Sequence, residues 1–165
     1  MLRKTIYLMM LSALVLLAGC GSSDEKADKS EDTATNEPVA EQRVEPDFVT
    51  VQHILIAFEG TLPNKDVTRT RDEAAKLAEE LLEKAKSGAD FDALVKEYTD
   101  DQHPGIYTMA NLGVQANPAQ EVYPRARMVK SFGDVGFSLE VGEVGVAVFD
   151  PAASKYGWHI IKRVE

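Results

Sequence analysis

Cysteine is nearly absent from this 165-residue chain. Cys20 is its only one, so no disulfide can form within the molecule. Positive charge is also in deficit: 18 Lys and Arg stand against 27 Asp and Glu, a formal net charge of −9. That balance argues against nucleic acid as a partner, which needs a basic footprint. It also argues against adhesion to anionic lipid through the protein surface. No apolar run is long enough for a comfortable membrane-spanning helix; the longest is Ile6 to Ala18. Large apolar residues are almost missing from Gly21 to Phe48, where nine acids face three bases. Such a segment cannot bury enough surface to offset its conformational entropy. Histidine is scarce as well, at three residues, and two of them sit inside apolar runs.

What is present starts with a leader. Arg3 and Lys4 precede the apolar run, and small residues follow it, the order of a signal peptide. Leu17-Ala18-Gly19-Cys20 resembles the lipobox of bacterial lipoproteins. That resemblance implies cleavage after residue 19, acylation of Cys20 and a membrane link through lipid. Multiple acyl chains, at about 0.8 kcal/mol per buried CH₂, would hold it there. The lone cysteine is thereby explained. Residues 20–48 then read as an acidic tether with an r.m.s. span of about 30 Å. Residues 49–165 read as one globular domain.

Within that domain "FVTVQHILIAF" is dense in β-branched residues and predicts a strand over Val49–Phe58. Thr70 and Glu73 form a capping box. Ala74, Leu77, Ala78, Leu81, Leu82 and Ala85 recur at helical spacing, and Gly88 follows the helix. Asp90 caps a second, shorter helix whose buried face is Phe91, Leu94, Val95 and Tyr98. Further strands are predicted at Tyr107–Leu112, at Val144–Phe149 and over "GWHIIKRV". In the last, either Trp158, Ile160 and Val164 or the alternate set faces the core. "VYPRARMVKSFGDVGFSL" has irregular, short-helix character. Helices segregated against an antiparallel sheet make an α+β fold.

The stretches "VQHILIAF", "AAKLAEELLEKAKSGADFDALVKEYTDD", "NLG", "MVKSFGDVGFSLEVGEVG" and "YGWHIIKRVE" resemble, in order and spacing, the parvulin family of peptidyl-prolyl cis/trans isomerases. The resemblance covers about Val51 to Glu165. It implies a four-stranded antiparallel sheet with surrounding helices, an isomerase of X-Pro bonds, and no metal or cofactor. It places His53 and His159 as facing histidines on neighbouring strands, with Asp101 as the third polar member of the site. Asp100, one residue away, competes for that place. It assigns Leu112, Met128 and Phe132 to a proline-binding pocket, with Phe137 supporting its wall. His103 falls in a turn and reads as solvated.

The chain departs from the family pattern at Ala110-Asn111-Leu112-Gly113 and in long segments around residues 114–127 and 149–158. The loop after the first strand has only Lys65 and Arg69 as bases, so no selectivity for phosphorylated substrates is expected. The expected partners are proline-containing unfolded polypeptides in a bacterial cell envelope. The competing expectation is a catalytically weak chaperone or peptide-binding module on the same fold.

Overall fold

The computed structural model describes residues 44–165. The leader, Cys20 and the tether up to residue 43 lie outside the described residues. The order of elements is β1 (Phe48–Ile56), α1 (Arg71–Lys86), α2 (Phe91–Tyr98), β2 (Ile106–Ala110), β3 (Val122–Pro124), α3 (Lys130–Ser138), β4 (Val144–Ala147) and β5 (Trp158–Arg163). One-turn 3₁₀ helices lie at Pro118–Gln120 and Arg125–Arg127.

The strands form one sheet in the order β3-β2-β1-β5-β4. Four of them, β2-β1-β5-β4, are antiparallel neighbours, as expected. The fifth corrects the expectation: β3 pairs in parallel with β2 over three residues, making the sheet mixed. Its last residue is Pro124, which lacks an N–H and is tolerated because β3 is an edge.

Local signals set the helices. Glu73 N donates to Thr70 Oγ1 at 3.3 Å, and Thr70 N donates to Glu73 at 2.7 Å, so the capping box closes. Such a cap contributes about 1 kcal/mol. Asp90 caps α2 by accepting from Ala93 N.

Strand alternation divides the sheet into two cores. Ile54, Ile56, Trp158 and Ile160 point to one face and pack against Leu81 and Ala78 of α1 and Phe91 and Val95 of α2. Val49, Val51, Met109 and Ile161 point to the other, beneath Phe132 and Phe137 of α3. His53 falls in step with Val49 and Val51, and His159 with Ile161. Both rings therefore emerge on the α3 face.

The domain starts earlier than residue 49. Asn111 N donates to Asp47 O at 2.8 Å and Asn111 Nδ2 to Pro46 O at 2.9 Å. Arg125, its side chain 11% exposed, bridges Glu45 at 2.6 Å and Asp134 at 2.9 Å while lying over the Phe137 ring. A stretch polar enough to read as tether is thus docked on Asn111 and Arg125. Deleting residues 44–47 is expected to lower stability by about 1–2 kcal/mol, the scale of two or three lost hydrogen bonds and a partly exposed ion pair. Urea midpoints of the two chains would measure it.

Candidate active site

The segment between α2 and β2 builds the site. β2 pairs with β1 only as far as Gln52. Beyond it the outward N–H groups of β1 need other acceptors. His53 N donates to Gly105 O at 3.0 Å, Leu55 N to Thr99 Oγ1 at 3.1 Å, and Ala57 N to Asp100 Oδ2 at 2.8 Å. Thr99 Oγ1 also accepts from Asp101 N at 3.2 Å. Residues 99–105 are therefore laced along β1, and Asp101 is delivered to the His53 ring. Gly105 makes that close approach possible. Its φ is +65°, and a Cβ there would stand 2.8 Å from His53 O and 3.1 Å from His53 Cδ2.

The two adjacent carboxylates separate cleanly. Asp100 binds Ala57 N and the Arg69 guanidinium, so it serves the backbone. Asp101 Oδ2 lies 3.1 Å from His53 Nε2 and accepts from Tyr107 OH at 3.1 Å. On the far side of the ring, His53 Nδ1 is 3.2 Å from His159 Nδ1, with ring centroids 5.3 Å apart. The strand register pairs Leu55 with His159 and His53 with Ile161, so the two histidines are diagonal neighbours across β1 and β5.

The charges of this chain of groups follow from burial and contact. Hydrogen bonding from His53 draws the Asp101 carboxyl down to about 2 against the opposing effect of partial burial. Burial, then the negative charge of Asp101, pushes the Tyr107 phenol up to about 12. Burial, then His53, pulls His159 down to about 3, so its imidazole is neutral at physiological pH. A carboxylate can only accept, which fixes a proton on His53 Nε2. With that proton on Nε2, His53 Nδ1 can accept from His159 Nδ1–H. His159 Nε2 is then a bare acceptor, and among the described residues this buried atom has no hydrogen-bond partner.

These shifts set an acid limit. Unfolded His159 takes up a proton as pH falls below about 6.5, while the folded ring resists until about 3. Stability is therefore expected to decline with falling pH across that interval, at up to ~1.4 kcal/mol per pH unit. Asp101, lowered from its ordinary value of 3.8, contributes fully above that value and loses its contribution as pH falls toward about 2. Urea midpoints from pH 7 to 4.5 test the first part: His159→Gln should flatten the slope.

Above the histidines lies a cavity of about 280 Å³. His53, His159, Asp101 and Tyr107 form its polar floor; Met128, Phe132 and Leu62 supply apolar wall. It is at the small end for ligand pockets (about 300–1,000 Å³), a size for one ring or side chain. Among the described residues no Ser, Thr, Cys or Lys side chain lines it.

Of the residues singled out from the sequence, His53, Asp101, His159, Met128 and Phe132 come together here. Leu112 does not. It is 67% exposed in the turn after β2, because Asn111 is captured by Pro46, Glu45 and Arg125 and carries the next residue off the sheet. Phe137, also of α3, is fully buried beneath Arg125 and packs into the core without lining the cavity. His103, in its turn, bonds Asp92 at 3.0 Å. Sequence reasoning missed Tyr107, Tyr156 and Leu62. Only Leu62 carried a signal, as a large apolar side chain in the otherwise polar loop "EGTLPNKD".

An α+β sheet with a carboxylate and two imidazoles under an apolar notch defines a parvulin-like architecture. The profile of the PPIC-type PPIASE domain family matches residues 38–165, and the chain belongs to that family. It is 35% identical over 100 residues to foldase protein PrsA 4 of Bacillus cereus, covering 61% of this chain and 31% of that one. It is 37% identical over 90 residues to foldase protein PrsA of Bacillus subtilis, covering 54% and 26%. It is 34% identical over 112 residues to chaperone SurA of Chromohalobacter salexigens, covering 68% and 21%. The chain thus spans about a third or less of these relatives' length. The solution structure of TbPIN1 shares the fold, with a TM-score of 0.54, 20% identity, and coverage of 72% of this chain and 98% of that one.

Proposed function

We propose that the chain is a peptidyl-prolyl cis/trans isomerase that assists the folding of secreted or envelope polypeptides. The observation that carries this is the small apolar cavity set directly on the Asp101–His53–His159 chain. Rotation about a peptide bond crosses a barrier of ~18–20 kcal/mol. At X-Pro bonds the two isomers differ by only about 0.5–1 kcal/mol, yet exchange takes tens to hundreds of seconds. No covalent bond forms or breaks, so a nucleophile is not needed. Useful acceleration requires lowering the barrier by about 4–8 kcal/mol, since each 1.36 kcal/mol is tenfold.

The twisted amide has lost resonance, with less charge on its carbonyl oxygen and a more basic nitrogen. An apolar wall of Met128, Phe132 and Leu62 strips water that favours the planar amide. The preorganised imidazoles and the ionised Asp101 set the field across the turning bond. His53 and His159 act as a fixed hydrogen-bonded pair in this scheme, not as a proton-transfer couple.

Phosphate on the substrate is not required. Arg69 is held by Asp100 and the Ala57 carbonyl, and Lys65 by the carbonyls of Asp100 and Asp101. Neither is free for a phosphoryl group. The lipobox at Cys20 would tether this activity to the outer side of a membrane, where chains emerge unfolded and proline steps are slow. A protease-coupled assay on an Ala-Pro peptide tests the reading: acceleration well above the uncatalysed rate supports it, and rates equal to buffer alone remove it.

A further inference from the structure

The cleft does not end at Met128. A second hollow of about 390 Å³ adjoins the first and shares Met128, Val129 and Tyr156 with it. Its character is different. Arg127 and Lys130, from the junction of the second 3₁₀ turn with α3, and Lys155, from the turn before β5, line it. Among the described residues no carboxylate side chain lines it. Three cations thus line one hollow in a chain of net charge −9, while two acids stand next to it: Asp134 pairs with Lys130, and Asp150 Oδ1 accepts from Ala152 N at 2.8 Å and Ala153 N at 2.7 Å. The fold holds them together: Ser131 N donates to Ala153 O at 2.9 Å, tying the start of α3 to the loop that carries Lys155. Lys130 is paired with Asp134 at 2.6 Å. Lys155 lies over the Tyr156 ring, and among the described residues neither Lys155 nor Arg127 is in an ion pair.

We propose that this hollow is an anion subsite of the cleft, which takes the carboxylate of an Asp or Glu flanking the substrate proline. The inference rests on the isomerase reading and adds a substrate preference to it. Each residue of an extended chain advances about 3.3–3.6 Å. A side chain one or two positions from a proline seated against Met128 therefore reaches the adjoining hollow. Two unpaired cations suit one monoanion. The bases of the loop after β1, Lys65 and Arg69, are already bound to Asp100 and to main-chain carbonyls. Acid selectivity therefore arises from Arg127 of the second 3₁₀ turn and Lys155 of the turn before β5.

The test is exchange NMR with the full chain in detergent micelles. Peptides carry Glu, Ala, Lys or phosphoserine next to the proline, on either side. The Glu peptide is expected to show a kcat/KM about three- to tenfold above the Lys peptide, the range two partly exposed charge contacts supply. That advantage should collapse in 0.5 M salt and in Arg127→Ala/Lys155→Ala, while turnover of the Ala peptide stays. Arg127→Glu/Lys155→Glu should invert it. An equal Glu-to-Lys ratio in wild type and variants would overturn the subsite and leave the isomerase reading standing. A phosphoserine peptide favoured more than tenfold over Glu would overturn the choice of a carboxylate. Catalysis of none of the peptides would remove the isomerase reading and this inference with it.

Discussion

Gly157→Ala is expected to abolish the folded state. Gly157 immediately precedes β5 and has φ +143°, a region L side chains rarely enter. A Cβ there would sit 2.1 Å from Ile56 O and 2.9 Å from Ile56 C. Those are main-chain atoms of the central strand, with no side-chain rotamer to relieve them. The chain must either release Trp158 from Ile56 or shift β5, which carries His159, places Trp158 and Ile160 in one core and places Ile161 in the other. Backbone strain and lost burial together exceed ~4 kcal/mol, a large part of the ~5–15 kcal/mol that holds a typical domain. Circular dichroism and a thermal melt should show no cooperative transition. A variant that melts within a few degrees of wild type would contradict the packing of β5 on β1.

Asp101→Ala is expected to cost about 100-fold in kcat/KM with the fold retained. Removing the carboxylate leaves His53 Nε2–H and the Tyr107 hydroxyl without their acceptor. It also deletes the ionised carboxylate of the cavity floor. A positioned acid–base or electrostatic group is worth about 10²–10⁴ in rate. Stability should fall by only ~1–3 kcal/mol, the cost of stranding partly buried donors. Asp101→Asn keeps a carbonyl acceptor and should recover part of the rate. Asp100→Ala is the informative neighbour. It frees Arg69 and Ala57 N, so it should lower the melting temperature more than it lowers turnover per folded molecule. Rate and peptide affinity, measured together, separate an isomerase from a passive binder: loss of turnover with retained affinity marks catalysis.

How much of this was legible in the sequence depends on whether a feature is local. The capping box at Thr70 and Glu73, the Asp90 cap and the stripe on α1 are set within one or two helical turns, and all appear where periodicity places them. The face of β5 was not legible. Trp158 and Ile160 meet α1 and α2 while His159 and Ile161 meet α3, so a central strand covered on both sides shows no alternation to read. The choice between Asp100 and Asp101 was equally hidden. It is made by Ala57 N and Arg69, more than thirty residues away along the chain. Leu112 was placed in the pocket by the "NLG" resemblance. The structure turns it outward through contacts between Asn111 and residues 45–46, which sequence reading had assigned to the tether. β3 has three residues, one of them proline, too few for any period.

The central claim is that a prolyl ring sits between Met128 and Phe132 over the paired imidazoles while its amide bond turns. Exchange NMR on an Ala-Pro peptide tests it most directly, with methyl-labelled methionine in the protein. Cis–trans cross-peaks far faster than buffer alone are predicted, with proline ring protons showing contacts to the Met128 methyl that vanish in Phe132→Ala. Exchange at the buffer rate would contradict the account, as would accelerated exchange with the ring protons distant from Met128.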